Sequence, residues 1–243
     1  MSVKTWVVMN DLQIPFHDRV AVGNVLNFVD DLKPYGVILN GDIVDCYSIS
    51  DFSKNPLSEE SLLQEIQIAG KVMDRLAKRT IKRVWIGGNH EDRWRRYIWK
   101  NAPELSKIDG MSFASAFKLK DYGFAWLEYG DMYTLGKLHF THGSYITNAA
   151  KRTLAKYGES VMMGHTHKLV AHYNRTLKGI HAGYENGCLC LLTPEYDAFP
   201  DWHSGFSVVH VDDTTGFYNV QQIPILDGGI FYYGSERIGK KRK

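Results

Sequence analysis

The amino-acid sequence predicts an α/β sandwich, and two features of its hydrophobic pattern favour this class. Helical and strand-like patterns alternate through the first two thirds of the 243 residues, an order typical of parallel sheets covered by helices. Beyond residue 168 the pattern changes to hairpin-like strands punctuated by Gly, Asn and Asp, including DDTTG at 212–216. The simplest account of this change is a second, more antiparallel sheet.

Short apolar runs and longer amphipathic segments define the individual elements. Strands are predicted at 6–9, 36–40, 83–86, 137–141 and 160–163. Apolar residues recur at helical spacing in the segments 19–33, 58–79 and 146–157. Asp18 is suited to cap the first of these helices, and Gly158 to close the last. Each predicted helix therefore connects two predicted strands.

Composition limits the number of domains and the kinds of partner. A hydrophobic content of 44% and an aromatic content of 13% suffice for one large core, so residues 1–243 are expected to form a single domain. No segment resembles a signal peptide, and no apolar run approaches the roughly 18 residues of a membrane span. We therefore expect a soluble, cytoplasmic protein without a membrane partner. The net charge of +2 is too small to indicate a class of binding partner. The basic residues at the end of the chain predict a flexible tail at 236–243.

Three cysteines bear on redox and zinc chemistry. Cys46, Cys188 and Cys190 are odd in number and lack CxxC spacing, so neither a disulfide framework nor a zinc knuckle is indicated. Cys188 and Cys190 share one face of a predicted strand, where small buried hydrophobic residues are expected rather than ligands. A reducing compartment fits this use of cysteine.

Residue types that bind metals follow each of the five predicted short strands. In chain order they are Asp11 and Gln13, Asp42 and Asp45, Asn89 and His90, His142, and His165 and His167. Because ligands of open α/β sheets bind beyond the carboxyl ends of the strands, we expect these loops to converge on one site. A single histidine would more simply be a hydrogen-bonded structural residue, but five such strand ends in order favour a metal site.

The donor types indicate which ions and which reaction the site serves. Carboxylate, imidazole and amide groups without a required thiolate suit Mn²⁺ best, with Zn²⁺, Fe²⁺, Ni²⁺ or Mg²⁺ as alternatives. These candidate ligands are too many for one ion. Two ions about 3.5 to 4 Å apart, sharing a carboxylate and a bridging hydroxide, would activate a nucleophile and neutralise a transferring phosphoryl group. The pattern therefore predicts hydrolysis of a phosphate ester.

These motifs carry a resemblance to a known family. Asp11 with Gln13, GDIVD at 41–45, GNHE at 88–91, THG at 141–143 and GHTH at 164–167 resemble the motif series of calcineurin-like metallophosphoesterases. The stretch 183–206, GYENGCLCLLTPEYDAFPDWHSGF, further resembles small metallophosphoesterases often encoded by bacteriophages and bacteria. The resemblance implies a four-layer α/β/β/α sandwich of two mixed β-sheets flanked by helices. For a phage-encoded protein it implies the host cytoplasm.

The resemblance also assigns roles to individual residues. The first ion would be held by Asp11, Gln13, Asp42 and His167. The second ion would be held by Asp42, Asn89, His142 and His165, with Asp42 as the bridge. His90 would match the family's histidine that stabilises or protonates the leaving oxygen, with Asp45 orienting it. A carboxylate that fixes an imidazole in one tautomer also raises its basicity, which agrees with this pairing.

Two departures from the family pattern bear on the site. The family usually has a histidine where Gln13 stands, and an amide oxygen is a weaker and harder ligand, so Gln13 either binds the first ion loosely or supports a ligand from behind. His17 is a candidate for the missing imidazole or for substrate contact, and a surface loop histidine is the competing interpretation. Cys46 stands where phosphoprotein phosphatases of this superfamily carry a phosphate-binding arginine, which argues against a phosphoprotein substrate.

The segment EDRWRRYIWK at 91–100 is the main indication of the substrate. Arg93, Arg96 and Lys100 recur on one helical face and would suit a phosphodiester backbone, while the interleaved aromatic residues would stack on bases. Alternatively, the aromatic residues form the core face of this helix and the cations its solvated face. We expect a phosphodiesterase or nuclease acting on nucleic acid or nucleotides. The alternatives are a phosphomonoesterase and a weakly active binding or scaffold protein.

Overall fold

The structure is a computed structural model that describes residues 2–194 and 199–239. Its strands are β1 (Val3–Met9), β2 (Gly36–Asn40), β3 (Lys82–Ile86), β4 (Ala125–Leu127), β5 (Tyr133–Leu135), β6 (Leu138–Phe140), β7 (Val161–Met163), β8 (Leu169–Thr176), β9 (Gly179–Asn186), β10 (Gly205–Asp212), β11 (Tyr218–Pro224), β12 (Phe231–Tyr233) and β13 (Glu236–Ile238). Its helices are α1 (Arg19–Leu32), α2 (Leu62–Ala77), α3 (Asp92–Asn101), α4 (Phe113–Ala116) and α5 (Ala149–Tyr157). The five strands and three helices predicted from the first 168 residues are all present. The strand at 36–40 has its predicted bounds, and the ends of the other elements differ from the prediction by up to four residues.

Two mixed sheets form the centre of the fold. Sheet A has the strand order β11-β10-β1-β2-β3-β4, in which β1 to β4 are parallel and β10 and β11 are antiparallel to their neighbours. Sheet B has the order β5-β6-β7-β9-β8, with β6, β7 and β9 parallel. In both sheets the parallel strands carry the motifs. The predicted sandwich of two mixed sheets is therefore confirmed.

Side chains of β1 alternate between two hydrophobic cores. Val7 and Met9 pack in the core formed with α1 and α2, which we call the helix-side core. Trp6 and Val8 pack in the core between the two sheets. This alternation follows from the period of two in a strand that is buried on both faces. Helix α5 contacts β7, β8 and β9 of sheet B. The layers therefore run helices, sheet A, sheet B and helix, as the family resemblance implies.

The placement of β10 and β11 corrects one prediction. These strands belong to sheet A rather than to a separate antiparallel sheet, because β10 pairs with β1 along residues 3–8. Val208 packs in the helix-side core and Val209 in the core between the sheets. A strand buried on both faces fits the interior of a sheet, and local turn signals do not reveal which sheet that is.

Caps explain where the helices begin and end. The Asp18 carboxylate accepts hydrogen bonds from the backbone N–H groups of Val20 and Ala21 at 2.8 and 3.0 Å, so α1 begins as predicted. Helix α2 begins at Leu62 rather than at 58, because the Ser61 hydroxyl caps it. Helix α5 begins at Ala149 rather than at 146 and closes at Gly158, whose backbone is left-handed at φ 71°.

The end of the described chain departs from the predicted flexible tail. Residues Glu236–Ile238 form β13, which pairs antiparallel with Phe231–Tyr233, so the prediction is wrong for these residues. Ile238 packs against the helix-side core next to buried Phe231, and this burial holds the segment in place. The remaining tail residues 240–243 lie outside the described residues. No helix in the described part of the chain combines the length and the apolar character needed to cross a membrane.

Two glycines provide a matched test of this packing. A Cβ atom at Gly183 of β9 would collide with the backbone carbonyl of Ala150 in α5, whereas a Cβ atom at Gly23 of α1 would meet nothing within 4 Å. Gly183→Ala should therefore lower the free energy of unfolding by about 1–3 kcal/mol through overpacking. Gly23→Ala should raise it by about 0.5–1 kcal/mol, because alanine loses less backbone entropy in a helix. Denaturant unfolding measures both, and equal stability of the two variants would contradict the close packing of α5 on sheet B.

Candidate metal centre

The motif loops of both sheets meet at one place in the fold. The β1 loop hydrogen-bonds to the β2 loop, because the N–H of Asp11 donates to the Gly41 carbonyl at 3.0 Å. In sheet B, the N–H of Gly164 donates to the His142 carbonyl at 3.1 Å and joins the β6 and β7 loops. The N–H of His165 then donates to Oδ2 of Asp11 at 2.9 Å and joins the two sheets. The predicted convergence of the strand ends is therefore observed.

Strained backbone conformations concentrate at this place. Five of the predicted ligands have a left-handed backbone, with φ values of 51° for Asp11, 48° for Gln13, 52° for Asp42, 74° for His165 and 58° for His167. Positive φ is uncommon for residues other than glycine and persists where the surrounding structure imposes it. These turns direct side chains from sharply bent loops into one small volume, a feature that is typical of functional sites.

Four predicted ligands form one half of the centre. Nε2 of His142 lies 3.1 Å from Oδ2 of Asp42 and 3.2 Å from Oδ1 of Asn89. Ligand atoms of Asp42, His142 and His165 all lie within 4.8 Å of one another. Nδ1 of His142 faces the Asn40 carbonyl at 2.9 Å, which leaves Nε2 free to bind an ion. This set is the one that the resemblance assigns to the second ion.

Asp11, Gln13 and His167 form the other half. Nε2 of His167 lies 3.2 Å from Oδ1 of Asp11 and 3.1 Å from Nε2 of Gln13. Oδ1 of Asp11 is buried and has the His167 ring as its ion-pair partner. A buried carboxylate is costly unless a cation, either a protonated imidazole or a metal ion, compensates it. Rotation of the Gln13 amide group by 180° would place its oxygen where its nitrogen now faces the His167 ring. The residues present therefore fit divalent cations.

Carboxylates control the pKa values of the buried histidines. Burial alone would lower the pKa of His142, but the Asp42 and Asp11 carboxylates outweigh it and raise that pKa to about 10. In the same way, burial is outweighed by Asp11, which raises the pKa of His167 to about 10. Burial would raise the pKa of Asp42, but the charges of His142 and His90 lower it. The carboxylates thus attract positive charge at neutral pH, which protons or metal ions can supply.

His90, Asp45 and Arg93 form a contiguous group beside Asp42. Nδ1 of His90 lies 3.1 Å from Oδ2 of Asp45, as the orienting role requires. Nη1 of Arg93 donates to Oδ1 and to the backbone carbonyl of Asp45, both at 2.7 Å. Nη2 of Arg93 lies 3.1 Å from Nε2 of His90. Burial alone would lower the pKa of His90, but the charge of Asp42 and the hydrogen bond with Asp45 raise it.

Two predicted substrate residues are not brought to the centre. The Arg96 side chain is 67% exposed and pairs with Asp92, one turn earlier on α3. His17 is buried, and its Nδ1 lies 3.2 Å from the Pro15 carbonyl rather than at a predicted ligand. Helical spacing alone placed Arg96 on the same face as Arg93, but Arg93 contacts Asp45 whereas Arg96 pairs with Asp92.

Glu91 is a site residue that the sequence analysis missed. Its Oε2 accepts hydrogen bonds from the N–H groups of Gly88 and Asp42 at 2.7 and 2.9 Å, and its Oε1 accepts from those of Ile43 and Val44 at 2.7 and 3.3 Å. The carboxylate therefore binds the β2 loop to the β3 loop. The available signal was the position of Glu91 as the fourth residue of the GNHE motif at 88–91, to which no role was assigned from sequence.

The fold is an α/β sandwich of two facing sheets, and its candidate metal ligands lie at the carboxyl ends of strands in both sheets. The family model described as calcineurin-like phosphoesterase matches residues 5–172, more than half of the chain. The chain therefore belongs to the calcineurin-like phosphoesterase family.

Two relatives come from bacteriophages. The gene 54 protein of Mycobacterium phage D29 is 27% identical over 251 residues, covering 93% of this chain and 95% of that protein. The gene 54 protein of Mycobacterium phage L5 is 26% identical over 247 residues, with the same coverage. Among solved structures, a single mutant of Vps29 from Entamoeba histolytica matches with a TM-score of 0.49 at 13% identity, covering 98% of this chain and 99% of that chain. Vps29 from Cryptosporidium parvum matches with a TM-score of 0.48 at 13% identity, covering 97% and 94%.

The role of Glu91 can be tested with Glu185 as a matched control. Both are buried glutamates that join loops near the centre, but one oxygen of Glu185 accepts from the Thr166 hydroxyl, which is able to reverse its hydrogen bond. In Glu91→Gln, the new amide N–H groups would face backbone N–H groups, so we expect a loss of about 1–3 kcal/mol in the free energy of unfolding. We also expect a 10–100-fold loss of Mn²⁺ affinity, because the Asp42 loop is released.

Denaturant unfolding and Mn²⁺ titration measure these effects. Glu185→Gln should change both quantities much less, since its amide donates to Thr166 and its remaining oxygen still accepts from the N–H of Ala150. Equal losses in the two variants would mean that Glu91 has no special role in holding the Asp42 loop.

Proposed function

We propose that this protein is a metal-dependent phosphoesterase that hydrolyses phosphodiesters in nucleic acid or nucleotides. The observation that carries the proposal is the convergence of the predicted ligands around the buried carboxylate of Asp11, whose Oδ1 lies 3.2 Å from Nε2 of His167. Family membership supports a phosphate ester as the substrate. The phage origin of the two relatives supports the expectation that the protein works in a host cytoplasm.

Two divalent ions, preferably Mn²⁺, would be held by residues of both sheets. Asp11, Gln13, Asp42 and His167 would hold the first, and Asp42, Asn89, His142 and His165 the second. When bound, such ions supply Lewis acidity that activates water and neutralises charge on the phosphoryl group. Asp42 is suited to the shared position because it lies between His142 and the His90 loop. Gln13 would make the first site the weaker one, because its amide carries no charge.

His90 would hold the proton that the leaving oxygen requires, at Nε2. Asp45 fixes the ring through Nδ1, and the carboxylates raise the pKa of His90, both of which favour a protonated ring. A protonated Nε2 is unable to accept a hydrogen bond from Arg93, so Arg93 and the proton are alternative partners of this nitrogen. On protonation, Arg93 would turn away from His90 and present its guanidinium to a phosphate oxygen. Arg93 is thus the substrate-binding residue of the proposal, whereas His17 and Arg96 stay predictions.

Exposed side chains of helix α3 favour a phosphodiester in nucleic acid or nucleotides as the substrate, rather than a small phosphomonoester. Trp99 is 57% exposed, and the guanidinium of Arg95 lies 5.0 Å from its ring centroid. An exposed aromatic ring next to cations suits a base and its backbone. Trp94 instead packs against Phe113, so the core-face interpretation holds for that residue. A phosphomonoesterase and a weakly active scaffold protein are the alternatives.

Substitution of the second-ion ligand and of the proton donor tests the activity. Asn89→Ala and His90→Ala should each lower Mn²⁺-dependent turnover of bis(p-nitrophenyl) phosphate by about 10²–10⁴-fold, because metal binding or proton transfer is lost. His139→Ala, whose ring contacts Thr134 in sheet B, is the control and should keep its activity. Circular dichroism would establish that all three variants are folded. Full metal-dependent turnover in both site variants would refute the assignment.

The role of Gln13 is tested by counting ions and comparing substrates. We expect the wild type to bind two Mn²⁺ per chain, one of them weakly, and Gln13→His to bind that ion at least tenfold more tightly, because imidazole is the stronger ligand. Isothermal titration with elemental analysis gives both quantities. Identical isotherms would remove Gln13 from the ligand set. Two bound ions without turnover of either p-nitrophenyl phosphate or its diester would favour the scaffold alternative.

A further inference from the structure

Two buried cysteines lie against His167 on the side away from Asp11. Sγ of Cys190 lies 3.9 Å from Nδ1 of His167, whereas Nε2 of the same ring faces Asp11 and Gln13. Ligand atoms of His167, Cys188 and Cys190 all lie within 4.8 Å of one another. All three residues are buried. The expectation that these cysteines are only small hydrophobic residues does not account for this grouping around one imidazole.

Backbone hydrogen bonds hold the segment that carries the two cysteines in place. The N–H of Cys188 donates to the His203 carbonyl, and its own carbonyl accepts from the N–H of Gly205, both at 3.0 Å. Between the cysteines, the N–H of Leu189 donates to the Asp11 carbonyl at 3.0 Å. The segment is thus fixed between β10 and the loop that carries Asp11. Residues two apart on an extended segment point the same way, which brings both thiols to His167.

The spacing of these three groups fits a tetrahedral ion. Zinc–sulfur distances of about 2.3 Å and zinc–nitrogen distances of about 2.0–2.1 Å place neighbouring donor atoms roughly 3.5–3.8 Å apart. The Cys190–His167 pair is at 3.9 Å and all three donor atoms lie within 4.8 Å of one another, so inward shifts of about 1 Å or less bring them to these distances. Thiolates select soft or borderline ions, whereas the Asp11 side of the ring offers hard oxygen donors.

We propose that Cys188, Cys190 and Nδ1 of His167 form a third cation site, specific for a thiophilic divalent ion such as Zn²⁺, Cd²⁺ or Co²⁺. Binding would release the two thiol protons and any proton on Nδ1 of His167 to solvent, and the fourth ligand would be water. Nδ1 offers its lone pair when the ring proton is on Nε2, whereas the first-ion site needs the lone pair of Nε2. An ion at the cysteines and the first Mn²⁺ therefore compete for His167. This consequence, unlike the site itself, rests on the proposed function.

Cobalt absorption distinguishes this site from the proposed Mn²⁺ sites. Adding Co²⁺ to reduced, metal-free protein should produce a near-ultraviolet thiolate-to-cobalt charge-transfer band, which oxygen and nitrogen ligands do not produce. Cys188→Ser and Cys190→Ser should each weaken or abolish the band. Cys46→Ser is the matched control, because Cys46 is equally buried but lies in the helix-side core, and it should keep the band. No band in the wild type, or loss of the band only in Cys46→Ser, would overturn the proposal.

A second measurement needs no variant and so does not depend on how the variants fold. X-ray absorption of the wild type loaded with one equivalent of Cd²⁺ should show two sulfur neighbours around the ion. An ion surrounded only by oxygen and nitrogen would refute the site. Active enzyme without sulfur ligation would reject the third site alone, and sulfur ligation without hydrolysis would reject the proposed function alone.

Competition for His167 is tested by the Mn²⁺ count. One equivalent of Cd²⁺ should reduce bound Mn²⁺ from two ions per chain to one in the wild type. The reduction should disappear when both Cys188 and Cys190 are replaced by serine, which excludes simple replacement of Mn²⁺ by Cd²⁺. Two Mn²⁺ retained beside a sulfur-bound Cd²⁺ would overturn the inclusion of His167.

Discussion

Two buried carboxylates, Asp11 and Asp42, are the constraint on which the rest of the centre depends. Both are almost entirely removed from solvent, and an ionised carboxylate in that position is costly unless it is paired or hydrogen-bonded. Oδ2 of Asp11 accepts from the N–H of His165, and Oδ1 of Asp42 accepts from the N–H of His90. These bonds require the sharply bent loops in which the left-handed residues occur. Strain and charge compensation are thus two aspects of one arrangement.

The same requirement joins the two sheets through buried polar side chains. Asn10 donates to Oδ2 of Asp11 and to the Gly187 carbonyl. Its own oxygen accepts from Asn186 at the end of β9, and Asn186 accepts from Ser207 on β10. Each of these side chains is buried and has a partner, so the network specifies one arrangement of the sheets. Glu91 supplies the corresponding link between the loops of β2 and β3.

His167 connects the proposed activity with the proposed third site. Its two ring nitrogens face groups of opposite character, the Asp11 carboxylate and the Gln13 amide on one side and thiols on the other. The pKa of His167 is raised by Asp11, so the Asp11 side already draws positive charge to the ring. The ring of Trp202 lies 4.1 Å from that of His167, centroid to centroid, in a T-shaped contact. In the proposal, a single imidazole would therefore bind a hard ion through Nε2 or a thiophilic ion through Nδ1.

How far prediction from sequence succeeded depended on whether the signal was local. The helix cap at Asp18, the strand at Gly36–Asn40 and the closing glycine of α5 follow from neighbours within a few residues, and each was found. The β10 pairing, the Glu91 hydrogen bonds and the cysteine group join segments far apart in the chain, and each was missed or misread. Arg93 and Arg96 are chemically identical and share a helix, so only contact with Asp45 separates them.

The sequence by itself determined the order of strands and helices and the identity of the residues at the strand ends. This was possible because the hydrophobic periodicity and the residue types can be read from segments of a few neighbouring residues. The tertiary structure alone decided which sheet β10 joined, which arginine met His90, and which atoms of His167 faced oxygen or sulfur. Those outcomes depend on side chains brought together from separate loops, where distances of a few ångströms decide the chemistry and no local pattern records them.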